Sequence, residues 1–335
     1  MTTQIVYSEK FNRHNNMNHP ENASRLHVMM KEIKKAPLYN DLEFIEPVIL
    51  TETELRDIHS DKMIEQIKEM SSSDESWIDM DTYVCRSDYE TARLAAGGLV
   101  KACDNVLKGK AENAFGLVRP PGHHATKDRS MGFCLFNNAA IAANEISKKG
   151  KKTLIYDFDV HHGNGTQDIF YDRKDVLYQS IHLSPHYPGT GHFDEIGIGV
   201  GEGYTVNCPL SYGNGNNAVS KALEDVFLPI AKQFKPDFII ISSGYDSHYM
   251  DQLGGLRFTT DFFGEMTAKY QEIQSKIVCT LEGGYNLQQI GKCLVSQLGQ
   301  MTKNIVKFDD SADEHENING VIDQIKNELS SFWKL

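Results

Sequence analysis

The stretch Asp157-Phe-Asp-Val-His-His-Gly-Asn-Gly stands directly behind the apolar run Thr153-Leu-Ile-Tyr and puts a carboxylate and an imidazole two positions apart. A short apolar run bounded by a glycine-rich turn reads as a buried strand, and strand side chains alternate faces with period two. Asp157, Asp159 and His161 are therefore expected on one face. Oxygen and nitrogen donors so placed suit zinc or another divalent ion, but a catalytic zinc takes three protein ligands and keeps one position open. The third ligand has to come from elsewhere. Asp246 is the candidate, because it follows a second apolar run, Phe238-Ile-Ile-Ile-Ser, that ends in the turn-prone Ser243-Gly-Tyr. Ligands this far apart in sequence converge when strands run parallel, since the carboxyl ends of an open parallel sheet line one crevice. The expectation is an α/β fold with a mostly parallel central sheet flanked by helices and a site at the strand carboxyl ends. The competing reading is that Asp159 and Asp246 merely cap helices or bind turns.

Strand-like and amphipathic segments alternate without a composition break before about residue 300, so residues 1–335 are expected to form one domain. Asp and Glu outnumber Lys and Arg 46 to 34, for a net charge of −12. Binding to phosphates needs a basic footprint, so direct nucleic-acid binding is not expected, whereas an acidic surface favours cationic peptides or polyamines. Cys85, Cys103, Cys134, Cys208, Cys279 and Cys293 form no CxxC pair, and most sit in apolar segments where a reduced thiol packs as a small hydrophobe. The chain opens without a signal-peptide pattern and has no apolar run of membrane-spanning length. These features point to a soluble, cytoplasmic protein away from membranes. Its oligomeric state is not legible.

Along the chain, a first strand is expected over about 4–7, then a helix over 23–35 ended by Pro37. Thr51-Glu-Thr-Glu54 matches a capping box, 71–76 reads as a loop, and 88–107 as a long helix. A strand over 114–118 runs into Arg119-Pro-Pro-Gly-His-His, where proline forbids continuation. A helix over 137–149 stops at Gly150, a short helix spans 165–171, and a strand covers 176–182. The glycine-rich stretch 184–203 is expected to form a long loop over the strand ends. Residues 301–335 read as an acidic solvated loop, 309–316, followed by a final helix ending near Trp333.

His123 and His124 are adjacent at a strand end, held by a Pro-Pro-Gly turn. Beside a metal site they are candidate proton-transfer groups, each needing an orienting partner. Asp157 is the partner expected for one imidazole and Asn164 for the other; a carboxylate raises imidazole basicity more than an amide does, so the two should differ in protonation near neutral pH. Leu281-Glu-Gly-Gly-Tyr285-Asn ends a third apolar run, and its glycines let the Tyr285 hydroxyl reach over a pocket floor; the alternative is an ordinary turn with a packed ring. A Lewis-acidic metal, a general base and a neutral phenol donor together make the set needed to hydrolyse an unactivated amide without a serine or cysteine nucleophile.

The motifs RPPGHHA, GFCLFNNAAIAA, DFDVHHGNGTQDIFY, YPGTG, SSGYDSH and LEGGYN, with the amino-terminal HPEN and Arg25, follow one another over about residues 5–300. In this order they resemble the zinc-dependent histone deacetylases, most closely class II and its bacterial and archaeal relatives. The resemblance implies a single-domain arginase-like α/β fold. It implies Asp159, His161 and Asp246 as zinc ligands, His123 and His124 as the histidine pair with His124 as main proton shuttle, and Tyr285 as electrophile. Phe133 and Tyr187 match the walls of an acetyl-lysine tunnel, Gly132 adjoins the first of these, Leu253 matches the rim, and Ser87 the position that accepts a hydrogen bond from substrate backbone. Asp157, Asp159, His161, Ser180 and Ile181 match a structural potassium site. Tyr187 stands where many relatives have phenylalanine, Gln252 where proline often precedes the rim leucine, and Asn164 replaces the aspartate of one branch.

The expected activity is release of acetyl or another acyl group from N-acetyl-lysine of proteins. An acetylpolyamine amidohydrolase is the nearest rival, although about 37 residues separate Asp81 from Arg119, with no room for the long insertion of that group. A noncatalytic acyl-lysine reader and a binuclear manganese ureohydrolase are weaker alternatives: no catalytic position is substituted, and SGYDSH supplies too few bridging carboxylates.

Overall fold

Short apolar runs of four to eight residues form one eight-stranded sheet in the computed structural model, which describes residues 2–315 and 317–335. In chain order the strands are β1 (Thr3–Val6), β2 (Leu42–Ile45), β3 (Glu75–Trp77), β4 (Tyr83–Cys85), β5 (Asn113–Gly116), β6 (Thr153–Asp157), β7 (Val176–Leu183), β8 (Thr205–Leu210), β9 (Phe238–Ser243) and β10 (Ile277–Leu281). The sheet order is β2-β1-β5-β10-β9-β6-β7-β8, and the pairings in it are parallel. Parallel neighbours need crossovers, and helices supply them. These are α1 (Ser24–Lys35), α2 (Glu52–Arg56), α3 (Asp61–Met70), α4 (Asp88–Leu107), α5 (Asn138–Ser147), α6 (Asn164–Phe170), α7 (Asn216–Ala222), α8 (Leu228–Phe234), α9 (Phe262–Gln271), α10 (Ile290–Thr302) and α11 (Asn319–Leu329). The result is a single α/β domain with the sheet flanked by helices.

Every residue of β5, β6, β7, β9 and β10 is buried, whereas the edge strand β2 is partly exposed throughout. A sheet covered on both faces shows continuous apolar runs rather than alternation, which is why these strands were readable only by length and flanks. α4 packs against β1, β5 and β10 and α5 against β6 and β9, while α1, α9 and α10 pack as a second group. Tyr156 of β6 stacks on Tyr270 of α9 with ring centroids 4.3 Å apart. The capping box opens α2: Thr51 Oγ1 accepts from Glu54 N (3.2 Å) and Glu54 Oε2 from Thr51 N (2.8 Å). All six cysteines are buried and free, and among the described residues no helix is long and apolar enough to cross a membrane.

Two sequence expectations need correction. Part of the expected loop at 71–76 is strand: Glu75 and Ser76 belong to β3, which pairs antiparallel with β4. The acidic segment is not simply solvated either. Asp310 accepts hydrogen bonds from Thr260 N and Oγ1 (3.0 and 2.8 Å) and faces His248 Nε2 at 3.3 Å, so it pins the C-terminal segment to the domain; Glu316 lies outside the described residues. α11 then packs on β8.

His59 ties the loop carrying the histidine pair to α5. Its Nδ1 lies 2.9 Å from Thr126 O, and its Nε2 accepts from Asn137 N at 2.9 Å. This geometry requires the neutral ring, and burial lowers the His59 pKa from 6.5 to about 4. The unfolded chain therefore binds the extra proton first: stability is full above pH 6.5 and falls as pH drops toward 4, by about 1.4 kcal/mol per pH unit for this group. In denaturant unfolding between pH 6.5 and 4.5, the pH slope of stability is expected to be smaller in His59→Gln than in wild type by about 1.4 kcal/mol per pH unit, the slope of one proton. An unchanged slope in the variant would contradict it.

Candidate active site

The site residues leave four strands that are consecutive neighbours in the sheet, β5, β10, β9 and β6. Beyond their carboxyl ends lie, in turn, the His123–His124 turn, Tyr285, Asp246, and the Asp157–His161 turn. β6 ends at Asp157, so Asp159 and His161 do not share a face by strand alternation as the spacing predicts. A hydrogen-bonded turn does the placing instead. Asp157 Oδ1 accepts from Asp159 N (3.1 Å), Asp159 Oδ1 from His161 N (2.9 Å), Asp246 Oδ1 from Val160 N (3.1 Å) and Asp159 Oδ2 from Gly283 N (2.8 Å).

These bonds bring one donor atom each of Asp159, His161 and Asp246 within 4.8 Å of one another. His161 Nδ1 is 3.0 Å from Asp159 Oδ1 and 3.2 Å from Asp246 Oδ2. Burial alone would lower the His161 pKa, yet the two carboxylates push it up to about 10. Burial and the Asp159 charge raise that of Asp246, whereas for Asp159 itself His123 and His161 overcome burial and lower it. Asp246 Oδ2 is buried and accepts no well-aligned hydrogen bond. An orphaned carboxylate oxygen facing an imidazole nitrogen and a second carboxylate is a mixed N,O donor set that fits a zinc-like divalent ion in place of the His161 proton. Close backbone keeps the space open: a Cβ at Gly244 or Gly283 would come within 2.0 Å of Asp159 Oδ2 or 2.1 Å of Asp246 Oδ2.

His123 and His124 acquire the two expected partners. His123 Nδ1 lies 3.1 Å from Asp157 Oδ2, and His124 Nδ1 2.7 Å from Asn164 Oδ1. Burial lowers both pKa values, but Asp159 and Asp157 raise that of His123 to about 10, while the neighbouring His123 and His161 press that of His124 further down. With the rings 4.0 Å apart, the carboxylates favour the protonated form of His123 and burial favours the neutral form of His124. Because an amide oxygen only accepts, Nδ1 of His124 carries the proton and its Nε2 is left as a base.

A pocket of about 200 Å³ collects Asp81, His124, Gly132, Phe133, His161, His186, Tyr187, Leu253 and Tyr285. Phe133 and Gly132 both have left-handed backbone (φ 69° and 55°), and a Cβ at Gly132 would meet His124 Cδ2 at 2.5 Å. Tyr285 meets Phe133 edge to face at 5.7 Å, and burial and Asp246 hold its phenol well above its ordinary pKa, so it is a neutral donor. Its turn is clamped by Asp251 Oδ2, which accepts from Tyr285 N and Asn286 N (2.6 and 2.8 Å), and by Gln252 Nε2, which donates to Tyr285 O (3.0 Å). Arg25 stacks over the Tyr285 ring at 5.1 Å and pairs with Glu21, which also binds Arg119; this gives the HPEN segment its place. A larger, open groove of about 530 Å³ around Asp57, Lys127, Asp168 and Arg173 contains none of these groups, and the chemistry belongs to the smaller pocket.

Ser87 does not line this pocket. It precedes α4 with left-handed backbone (φ 71°), donating its N–H to Ser71 O (3.0 Å) and making no side-chain cap to the helix. Asp81 lines the rim instead. His186, also missed, stacks on His161 at 4.9 Å with Nε2 3.1 Å from Leu253 O. The signals for both were present, an acid before the strand into α4 and a histidine opening HYPGTG, but nothing in either separates a site from a loop. Of the residues matched to potassium, Asp157 is the register partner of Ser180, with Ile181 next to it on β7.

The histone deacetylase domain family matches residues 19–301. A probable deacetylase of Archaeoglobus fulgidus is 37% identical over 297 residues, 86% of this chain and 82% of that protein. Another, from Methanothermobacter thermautotrophicus, is 35% identical over 292 residues, 86% and 87% of the two chains. Histone deacetylase 15 of Arabidopsis thaliana is 42% identical over 279 residues, 81% of this chain but 50% of the plant protein. The crystal structure of the HDA15 HD domain superposes with a TM-score of 0.92 at 35% identity, covering 99% of this chain and 97% of that one.

Replacing Asp246 by alanine removes the orphaned oxygen and one of three donors. Elemental analysis after dialysis is expected to find about one divalent ion per wild-type chain and little in Asp246→Ala, with circular dichroism unchanged. Undiminished metal in the variant would rule this donor set out.

Proposed function

As this chain belongs to the histone deacetylase family, we propose that it is a zinc-dependent deacetylase that removes acetyl or related acyl groups from N-acetyl-lysine of proteins. The observation that carries the reading is the convergence of a neutral imidazole, a neutral phenol and an N,O,O donor set on one narrow pocket. A zinc ion held by Asp159, His161 and Asp246 would supply Lewis acidity to water and to the acyl oxygen.

The chain's own residues account for the remaining work. Phe133 and Tyr187 flank the apolar stem of a lysine side chain, and Gly132 and Leu253 complete the lining. Nε2 of His124 takes a proton from the attacking water and returns it to the leaving ε-amine. Cationic His123 keeps His124 from retaining that proton, and Asp157 and Asn164 hold the two rings in their tautomers. Tyr285 donates its hydroxyl proton in a hydrogen bond to the acyl oxygen as negative charge develops there. Potassium at Asp157, Asp159, His161, Ser180 and Ile181 would stiffen the base of the same turn. A reducing, cytoplasmic setting suits six buried free thiols.

An acetylated polyamine is the second reading, favoured by the net charge of −12 and by Asp81 at the pocket. Acetate release from acetyl-lysine peptides and from acetylputrescine, with and without a chelator, separates the two. Peptide turnover lost on chelation and restored by zinc is expected. Tyr285→Phe is expected to lower kcat on the order of 10²–10³-fold while metal stays bound; full activity in that variant excludes the assigned role.

A further inference from the structure

We propose that Glu282 is a positioning residue that locks the turn carrying His123 and His124 to the turn carrying Tyr285. This rests on the deacetylase reading above. Glu282 directly follows β10 and is fully buried, and its carboxylate reaches across to another segment rather than into the pocket. Oε2 accepts from both Gly122 N (2.7 Å) and His123 N (3.1 Å), while Oε1 accepts from Ser242 Oγ (3.2 Å) on β9. The backbone of the same residue is held as firmly. Its N–H donates to Ser243 O (3.0 Å), and its carbonyl accepts from Arg25 Nη2 (2.5 Å). Two residues on, Gly284 O accepts from Arg25 Nε (2.7 Å), and the intervening Gly283 N binds Asp159 (2.8 Å).

One side chain therefore joins the extensions of β5 and β10 and the end of β9. The base and the phenol sit on different turns, so their separation is set by whatever ties those turns together. Without the Glu282 acceptor, the Gly122 and His123 amides lose a buried partner and the histidine turn is free to shift. A displacement of about 1 Å between reacting groups costs on the order of a hundredfold in rate. What matters here is acceptor placement. Glutamine presents an oxygen at the same reach and a second polar atom for Ser242, whereas aspartate keeps the charge but falls short by about 1.5 Å, one carbon–carbon bond.

The test compares Glu282→Gln, Glu282→Asp and Glu282→Met in the full chain, reading kcat and KM on an acetyl-lysine peptide, metal content, thermal unfolding, and hydrogen exchange of the segment containing Gly122 and His123. Gln is expected to keep most of the turnover and the exchange protection. Asp and Met are expected to lose on the order of a hundredfold in kcat with KM little changed, full metal content, and faster exchange of that segment. The proposal is overturned if Asp or Met retains turnover and protection, or if Gln is as impaired as Asp. Should Glu282→Met not fold, the Gln and Asp pair decides alone. If the wild-type chain releases no acetate from the peptide, the functional reading fails, while the exchange comparison still decides whether Glu282 holds the histidine turn.

Discussion

Four carboxylates, Asp157, Asp159, Asp246 and Glu282, are buried side by side at the carboxyl ends of the central strands. Burying one such charge without partners costs several kcal/mol, and four together repel. The structure answers with backbone amides: each of the four accepts from at least one main-chain N–H contributed by a turn at the strand ends. Imidazoles supply the rest. The need to solvate these acids internally is what gives the turns their conformations, and those conformations are the site.

The same constraint explains the glycines. Gly163, Gly244 and Gly283 each stand where a Cβ would come within about 2.3 Å of a site carboxylate oxygen, so the motifs containing them carry glycine for want of space. It also explains the inequality of the histidine pair. Two adjacent imidazoles in one turn have the same covalent surroundings, but one faces Asp157 and the other Asn164, so the carboxylates raise the pKa of His123 while burial and then the His123 charge lower that of His124. Pairs of titratable groups whose environments push their pKa values apart are suited to acid and base roles.

Much of this was visible in the order of residues. Apolar runs ending in acids or glycines marked β6, β9 and β10, the runs 114–118, stopped by Arg119-Pro, and 176–182 marked β5 and β7, and helix stops at Pro37 and Gly150 came within a few residues of the observed ends. The orienting partners of both histidines also followed from chemistry. Where the reading failed, the cause was tertiary. Strand alternation did not place Asp159 and His161 because β6 stops at Asp157. Ser87, matched to a position that accepts from substrate backbone, stands outside the pocket lining at the start of α4, and Asp81 and His186 reach the pocket through loops whose course no local pattern encodes. The acidic tail read as solvated, yet Asp310 is taken up by Thr260 and His248.

Residue types and spacing alone determined that this chain builds a parallel α/β domain with aspartates, histidines and a tyrosine set just beyond its strands, because apolar periodicity and side-chain chemistry are properties of short segments. Only the folded chain decided which donors meet. The site segments follow one another in the sequence as β5, β6, β9 and β10, but lie in the sheet as β5, β10, β9 and β6. That reordering is set by how helices cover both faces of the sheet, a long-range packing outcome. It is what brings Tyr285 and Glu282 beside the histidine turn and Asp246 onto His161.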